Sequence, residues 1–86
     1  MPYAVVVTTA ARRQLRSLPR NVQERVASAI ESLPVTPRPE GCQKLTGREQ
    51  QYRLRVGAYR LIYSVSDNDE VVTLLTIAHR REVYRR

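Results

Sequence analysis

Arg53, Arg55 and Arg60 lie close together in the run Tyr52-Arg53-Leu54-Arg55-Val56-Gly57-Ala58-Tyr59-Arg60-Leu61-Ile62-Tyr63. Each guanidinium is a planar, permanently charged fork of N–H donors that fits the oxygens of a phosphate or carboxylate. A cluster of such forks can bind a phosphodiester and stabilise negative charge as it develops, but it cannot accept a proton. The spacing makes a cluster plausible, because two alternating runs meet at Gly57-Ala58, and glycine at the first central position suits a two-residue hairpin turn. With Val56 paired to Tyr59, Arg55 lies opposite Arg60 and Arg53 opposite Ile62. Tyr52, Leu54, Val56, Tyr59, Leu61 and Tyr63 then share the other face. Directly opposed like charges weaken a sheet unless an anion or an acidic neighbour lies between them, and the run contains no Asp or Glu. Any one of these arginines could simply solvate an outer strand face; three on one face point to an anion-binding surface.

The elements that must position this hairpin read in chain order. Tyr3 to Thr8 is valine-rich and predicts a first strand, and Thr8 or Thr9 can cap a helix starting near Ala10, with Ala11, Leu15 and Leu18 on one face. Pro19 interrupts that pattern and is expected in the first turn of a second helix, whose apolar stripe is Val22, Val26, Ala29, Ile30 and Leu33. Pro34, Pro37, Pro39 and Gly41 predict an extended connection over residues 34–41. Leu45 is expected to return to the core, Gly47 to permit the turn before the hairpin, and Lys44 and Arg48 to add to the basic surface. After Val65, the polar run Ser66-Asp67-Asn68-Asp69 predicts a turn, and Glu70 to Ala78 a last strand. The order strand, helix, helix, strand, strand, strand predicts an α+β domain, with a helical hairpin packed on one face of a small antiparallel sheet.

Eighty-six residues allow one domain, spanning residues 1–86, with one modest core. The formal charge of +7 arises from fourteen arginines and one lysine against eight acids, so the natural partners are a nucleic acid, an acidic protein, or both in turn. A membrane is a poor fit, for want of a long apolar segment, a lipidation signal or a secretory signal. Cys42 is the single cysteine, which excludes an internal disulfide and a Cys-based zinc cluster within one chain. A reducing cytoplasm is the default expectation.

The hairpin run, taken together with the closing Ile77-Ala78-His79-Arg80-Arg81-Glu82-Val83-Tyr84, resembles the RelE/ParE superfamily of bacterial toxins, and most of all its RelE-like mRNA interferase branch. The opening strand, the helix pair and Lys44-Leu45 fit the same pattern, so the resemblance covers nearly the whole chain. It implies a compact microbial-ribonuclease-like fold, an acidic antitoxin as cognate partner, and cleavage of mRNA in the ribosomal decoding site. Position by position it places Arg53, Arg55, Arg60, Arg80 and Tyr84 in the catalytic face, with Lys44, Arg48 and Arg81 beside them as RNA- or phosphate-binding residues. Some members carry lysines at the positions of Arg53 and Arg55, and arginine is the poorer general base.

The reaction so implied needs no metal or other cofactor. The nucleotide's own 2′-hydroxyl attacks the adjacent phosphate and leaves a 2′,3′-cyclic phosphate and a 5′-hydroxyl, which also explains a choice of RNA over DNA. Arg53, Arg55 and Arg60 would hold the phosphate and its developing charge, Arg80 the leaving group or phosphate, and Tyr84 would stack on a base or orient the phosphate. Histidine is the one residue type that ordinarily titrates near neutrality, so His79 is the proton-transfer candidate. Straight alternation could also turn it away from Arg80 into a structural role. Two other readings share this fold and surface: a ParE-like toxin that inhibits DNA gyrase through a protein interface, and a non-catalytic nucleic-acid-binding module.

Overall fold

The computed structural model describes residues 2–47 and 49–83; within the final helix, the side chains of Glu82 and Val83 are not described. Strand β1 (Ala4–Val7) leads into helices α1 (Thr9–Arg16) and α2 (Arg20–Ser32). A two-residue strand β2 (Gln43–Lys44) follows, then β3 (Gln51–Val56), β4 (Tyr59–Ser66), β5 (Val71–His79) and the short helix α3 (Arg80–Val83). Thr8 is the N-cap of α1, its hydroxyl accepting from the Ala11 N–H at 3.2 Å. Pro19 stands one position before its expected place in the first turn: with φ −54° and ψ 147° it is the N-cap of α2, and its carbonyl accepts from the Gln23 N–H at 2.8 Å.

The five strands form one sheet in the order β1-β5-β4-β3-β2. The expected antiparallel sheet is in fact mixed, because β1 runs parallel to β5, with Ala4 opposite Val71 and Val7 opposite Leu74. The helical excursion between β1 and the rest returns the chain far enough away for a parallel pairing. β3 and β4 pair in the register expected of a Gly57-Ala58 turn: Val56 with Tyr59, Arg55 with Arg60, Arg53 with Ile62. Gly57 has φ +59°, the left-handed region that favours glycine.

The helices cover one face of this sheet. Val26, Leu33 and Ala11 are fully buried against Leu61, Tyr63, Val65, Val72 and Leu74, with Leu54 and Ile77 nearly so. Val22, Ala29 and Ile30 pack at the margin of this cluster, half-buried. Leu45 is half-buried and lies outside the central cluster. The connection after α2, expected to be extended, is instead built of turns, the Thr36 N–H donating to the Ser32 carbonyl at 3.0 Å and the Cys42 N–H to the Pro39 carbonyl at 3.1 Å, and it is tied down by tyrosines. The buried Tyr63 hydroxyl donates to the Pro37 carbonyl at 2.9 Å, Arg38 donates to Tyr52 Oη at 2.8 Å and pairs with Asp67 at 2.9 Å, and Tyr3 Oη donates to Asp67 at 2.6 Å.

Strand β5 outruns β1, and beyond Leu74 its free edge is satisfied by α1 and its cap. Thr8 Oγ1 donates to the Leu75 carbonyl at 3.3 Å, and Gln14 Oε1 accepts from the Ile77 N–H at 2.8 Å. At this place β5 carries a bulge: Tyr63 pairs with Leu74 but Ile62 with Thr76, leaving Leu75 as the extra residue. The bulge reverses the phase of the strand. Val72 and Leu74 face the helices before it; Ile77 and His79 share that face after it, paired with Leu61 and Tyr59.

Candidate active site

On the face of the sheet away from the helices, the register aligns Gln43 with Arg53, Arg53 with Ile62, Arg55 with Arg60 and Arg60 with Ala78. Arg53, Arg55 and Arg60 therefore do share one face. Together with Glu40, Gly41, Gln43 and Leu54 they line an open concavity of about 420 Å³. The three arginines differ in kind. Arg55 is exposed, Arg53 is half-buried and donates to Gln43 Oε1 at 2.6 Å, and Arg60 is only 4% exposed. Burying a guanidinium costs several kcal/mol unless its donors are met. Arg60 Nη1 meets the Gly57 and Tyr59 carbonyls at 3.3 and 3.0 Å. Its Nε and Nη2 have no hydrogen-bond partner among the described residues, so the fork is fixed through one nitrogen while Arg60 helps to line the concavity.

Among the described residues the one ion pair is Arg38–Asp67, away from this face. That pairing holds the Asp67 carboxyl below its ordinary range, chiefly through the Arg38 hydrogen bond and then the one from Tyr3. Burial pushes the Tyr63 hydroxyl up, so it stays a neutral donor. Among the described residues no carboxylate lies within ion-pair distance of Arg55 or Arg60, and three guanidiniums lining one concavity make a field suited to a polyanion.

The remaining sequence-predicted residues are spread around this centre. Arg80 opens α3, is exposed, and its N–H donates to the Ala58 carbonyl at 2.8 Å, which ties the end of β5 to the hairpin turn. Arg81 is exposed, its N–H donating to His79 Nδ1 at 3.3 Å. His79 lies edge-on to Tyr59, ring centroids 5.3 Å apart, on the face opposite the arginines. Lys44 pairs with Tyr52 and so also points to the other face from Arg53. Arg48 and Tyr84 lie outside the described residues.

Residues 5–84 match the family described as ParE toxin of type II toxin-antitoxin system, parDE. The chain belongs to this toxin family. Among its relatives, Toxin RelG of Mycobacterium tuberculosis is 36% identical over 87 residues, covering the whole of both chains. A putative toxin RelE1 of Methanocaldococcus jannaschii is 26% identical over 99% of this chain and 98% of its own. Two solved toxin–antitoxin complexes share the architecture: RelBE2 of M. tuberculosis (TM-score 0.79, 34% identity, 93% of this chain and 100% of that one) and archaeal RelE–RelB of Pyrococcus horikoshii (TM-score 0.83, 33% identity, 93% and 97%). The α+β architecture is thus that of RelE toxin structures.

Two further residues of this toxin were not singled out from its sequence. The Arg25 guanidinium lies against Gly57, where a side-chain Cβ would meet its terminal nitrogens at 3.2 and 3.3 Å; the flexible arginine tip could yield, so it is the φ of +59° that favours glycine there. In sequence Arg25 is one more polar residue on a solvent-facing helix stripe. Gln14 reads the same way, yet it caps the β5 edge at the bulge. No helix of the described residues is long and apolar enough to cross a membrane.

Proposed function

We propose that the protein is a ribosome-dependent mRNA endoribonuclease that arrests translation, acting in the cytoplasm and restrained by a cognate acidic antitoxin. The observation that carries this reading is Arg60, a buried guanidinium fixed to two carbonyls at the hairpin turn and lining one concavity with Arg53 and Arg55. Such an arrangement spends little reorganisation when a phosphate acquires charge, the circumstance in which charged donors contribute most to a rate. The 2′-hydroxyl of the bound nucleotide attacks the adjacent phosphorus in line, Arg53, Arg55 and Arg60 hold the non-bridging oxygens, and Arg80 steadies the leaving side. Tyr84 is assigned stacking or phosphate orientation on the family pattern. His79, turned to Tyr59, is left to packing.

The relatives named RelG and RelE1 support the RNA reading, and the solved complexes with RelB support an antitoxin partner. The ParE description of the matched family favours a second reading, inhibition of DNA gyrase. Purified toxin is to be incubated with programmed ribosomes and, in parallel, with gyrase and supercoiling substrate. Cleaved mRNA with 2′,3′-cyclic phosphate ends, persisting under chelation when ribosome integrity is controlled, and suppressed by the antitoxin, is the expected result. Intact mRNA with loss of supercoiling would transfer the protein to the second reading.

A further inference from the structure

The arginines leave one part of the proposed reaction unassigned, because none can take the proton that the 2′-hydroxyl must lose. Among the described residues lining the arginine concavity there is one side chain able to do so, Glu40. The charged groups that share the space with it are Arg53 and Arg55 of β3 and Arg60 of β4. Glu40 makes no ion pair within 4.0 Å among the described residues, so its carboxylate is not consumed by those guanidiniums.

Its placement is fixed by the preceding connection. The Tyr3 N–H donates to the Pro34 carbonyl at 2.8 Å, Tyr63 Oη to the Pro37 carbonyl at 2.9 Å, Arg38 is held by Tyr52 and Asp67, and the Cys42 N–H closes a turn on the Pro39 carbonyl at 3.1 Å. Pro37 and Arg38 before Glu40 are therefore held to the strands, Gln43 after it pairs with Arg53 of β3, and Pro37 and Pro39 restrict the backbone between these anchors. A merely solvated loop glutamate would not need this. It also stands where a carboxylate weakens RNA binding by its charge, a cost that a catalytic role explains.

We propose that Glu40 is the general base of this toxin, an assignment that rests on the endoribonuclease reading. Its carboxylate takes the 2′-hydroxyl proton as the 2′-oxygen forms its bond to phosphorus. The bond from phosphorus to the 5′-oxygen breaks, the departing oxygen takes a proton from water, and the proton on Glu40 returns to solvent. The arginines hold charge throughout and exchange no proton.

The test is single-turnover mRNA cleavage on intact ribosomes for wild type, Glu40→Gln and Glu40→Asp, across pH and toxin concentration, with thermal melting as a check on folding. Glu40→Gln is expected to lower the maximal rate about 10²–10⁴-fold, to abolish the acid limb of the pH–rate profile, and to bind programmed ribosomes as tightly as wild type or more so. Glu40→Asp should recover part of the rate. A structural or purely electrostatic role would leave the acid limb in place, and a rate for Glu40→Gln equal to or above wild type would overturn the assignment. Failure of the underlying reading looks different: the unmodified protein would then not cleave mRNA at all.

Discussion

Arg60 and Arg55 face each other across the hairpin, yet their removal should not be equivalent. A unit charge about 4 Å from a developing phosphate charge is worth about 4 kcal/mol at the effective dielectric of a largely buried site, and about 1 kcal/mol in bulk water. Arg60 is 4% exposed and Arg55 is open to solvent, so the first figure applies to Arg60 and the second to Arg55. In rate, Arg60→Ala should cost roughly 10²–10³-fold, the range seen for loss of one preorganised donor, and Arg55→Ala about fivefold. Salt separates them further: near physiological ionic strength the screening length is about 8 Å, so the Arg55→Ala deficit should shrink as salt rises while that of Arg60→Ala persists. Arg60→Lys keeps the charge but loses the fork and should fall between. Single-turnover cleavage on intact ribosomes measures all three, with urea unfolding to confirm that the turn survives loss of the bonds to Gly57 and Tyr59. Equal losses for Arg55→Ala and Arg60→Ala, or an Arg60→Ala deficit erased by salt, would refute the idea that burial gives Arg60 its weight.

Truncating the helix stripe should damage stability in proportion to burial: Leu33→Ala, at a fully buried site, by about 2–5 kcal/mol, and Ile30→Ala, at a half-buried one, by less, both read from urea midpoints. Asp67, whose carboxyl is held below its ordinary range by Arg38 and then Tyr3, contributes stability that is complete above the unfolded carboxyl pKa of about 4 and is lost as pH falls through the lower folded value. Asp67→Asn should therefore flatten the acid side of the stability profile, and an unchanged profile would remove Asp67 from the account. Gln14→Ala leaves the Ile77 N–H without its acceptor, which should cost about 1–3 kcal/mol and speed exchange of that amide in a hydrogen-exchange experiment.

The hairpin was legible in the sequence because its alternation and its Gly57-Ala58 turn allow one register, and that register places Arg53, Arg55 and Arg60 on one face. Helix α2 was legible for a similar reason, its stripe repeating through Val22, Val26 and Leu33. The partnership of β1 with β5 had no local sign, since nothing in Ala4–Val7 names a partner so distant along the chain. Nor did the bulge. Straight alternation from Val72 and Leu74 would put His79 on the arginine face, and only the extra Leu75, held by Thr8 while Gln14 takes the Ile77 N–H, turns it to Tyr59. Charge patterning argues for exposed arginines, so the burial of Arg60 became visible only once Ala78 and the turn carbonyls were seen around it. Glu40 belongs to a stretch without periodicity, whose course depends on the distant Tyr63 and Tyr52 that hold Pro37 and Arg38.

The parallel pairing of β1 with β5 sets an order of events. The arginine hairpin joins neighbours in the chain and can close in about 1–10 μs. Ala4 must find Val71, and Gln14 must find Ile77, only after nearly the whole polypeptide is available, and contacts of such long span bear the full entropy of loop closure and form late. The basic face is therefore expected to exist on a partly folded chain before the bond from Arg80 to Ala58 brings the end of β5 to it. A nascent toxin could thus attract an acidic partner while still short of its complete site, giving neutralisation a head start over activity.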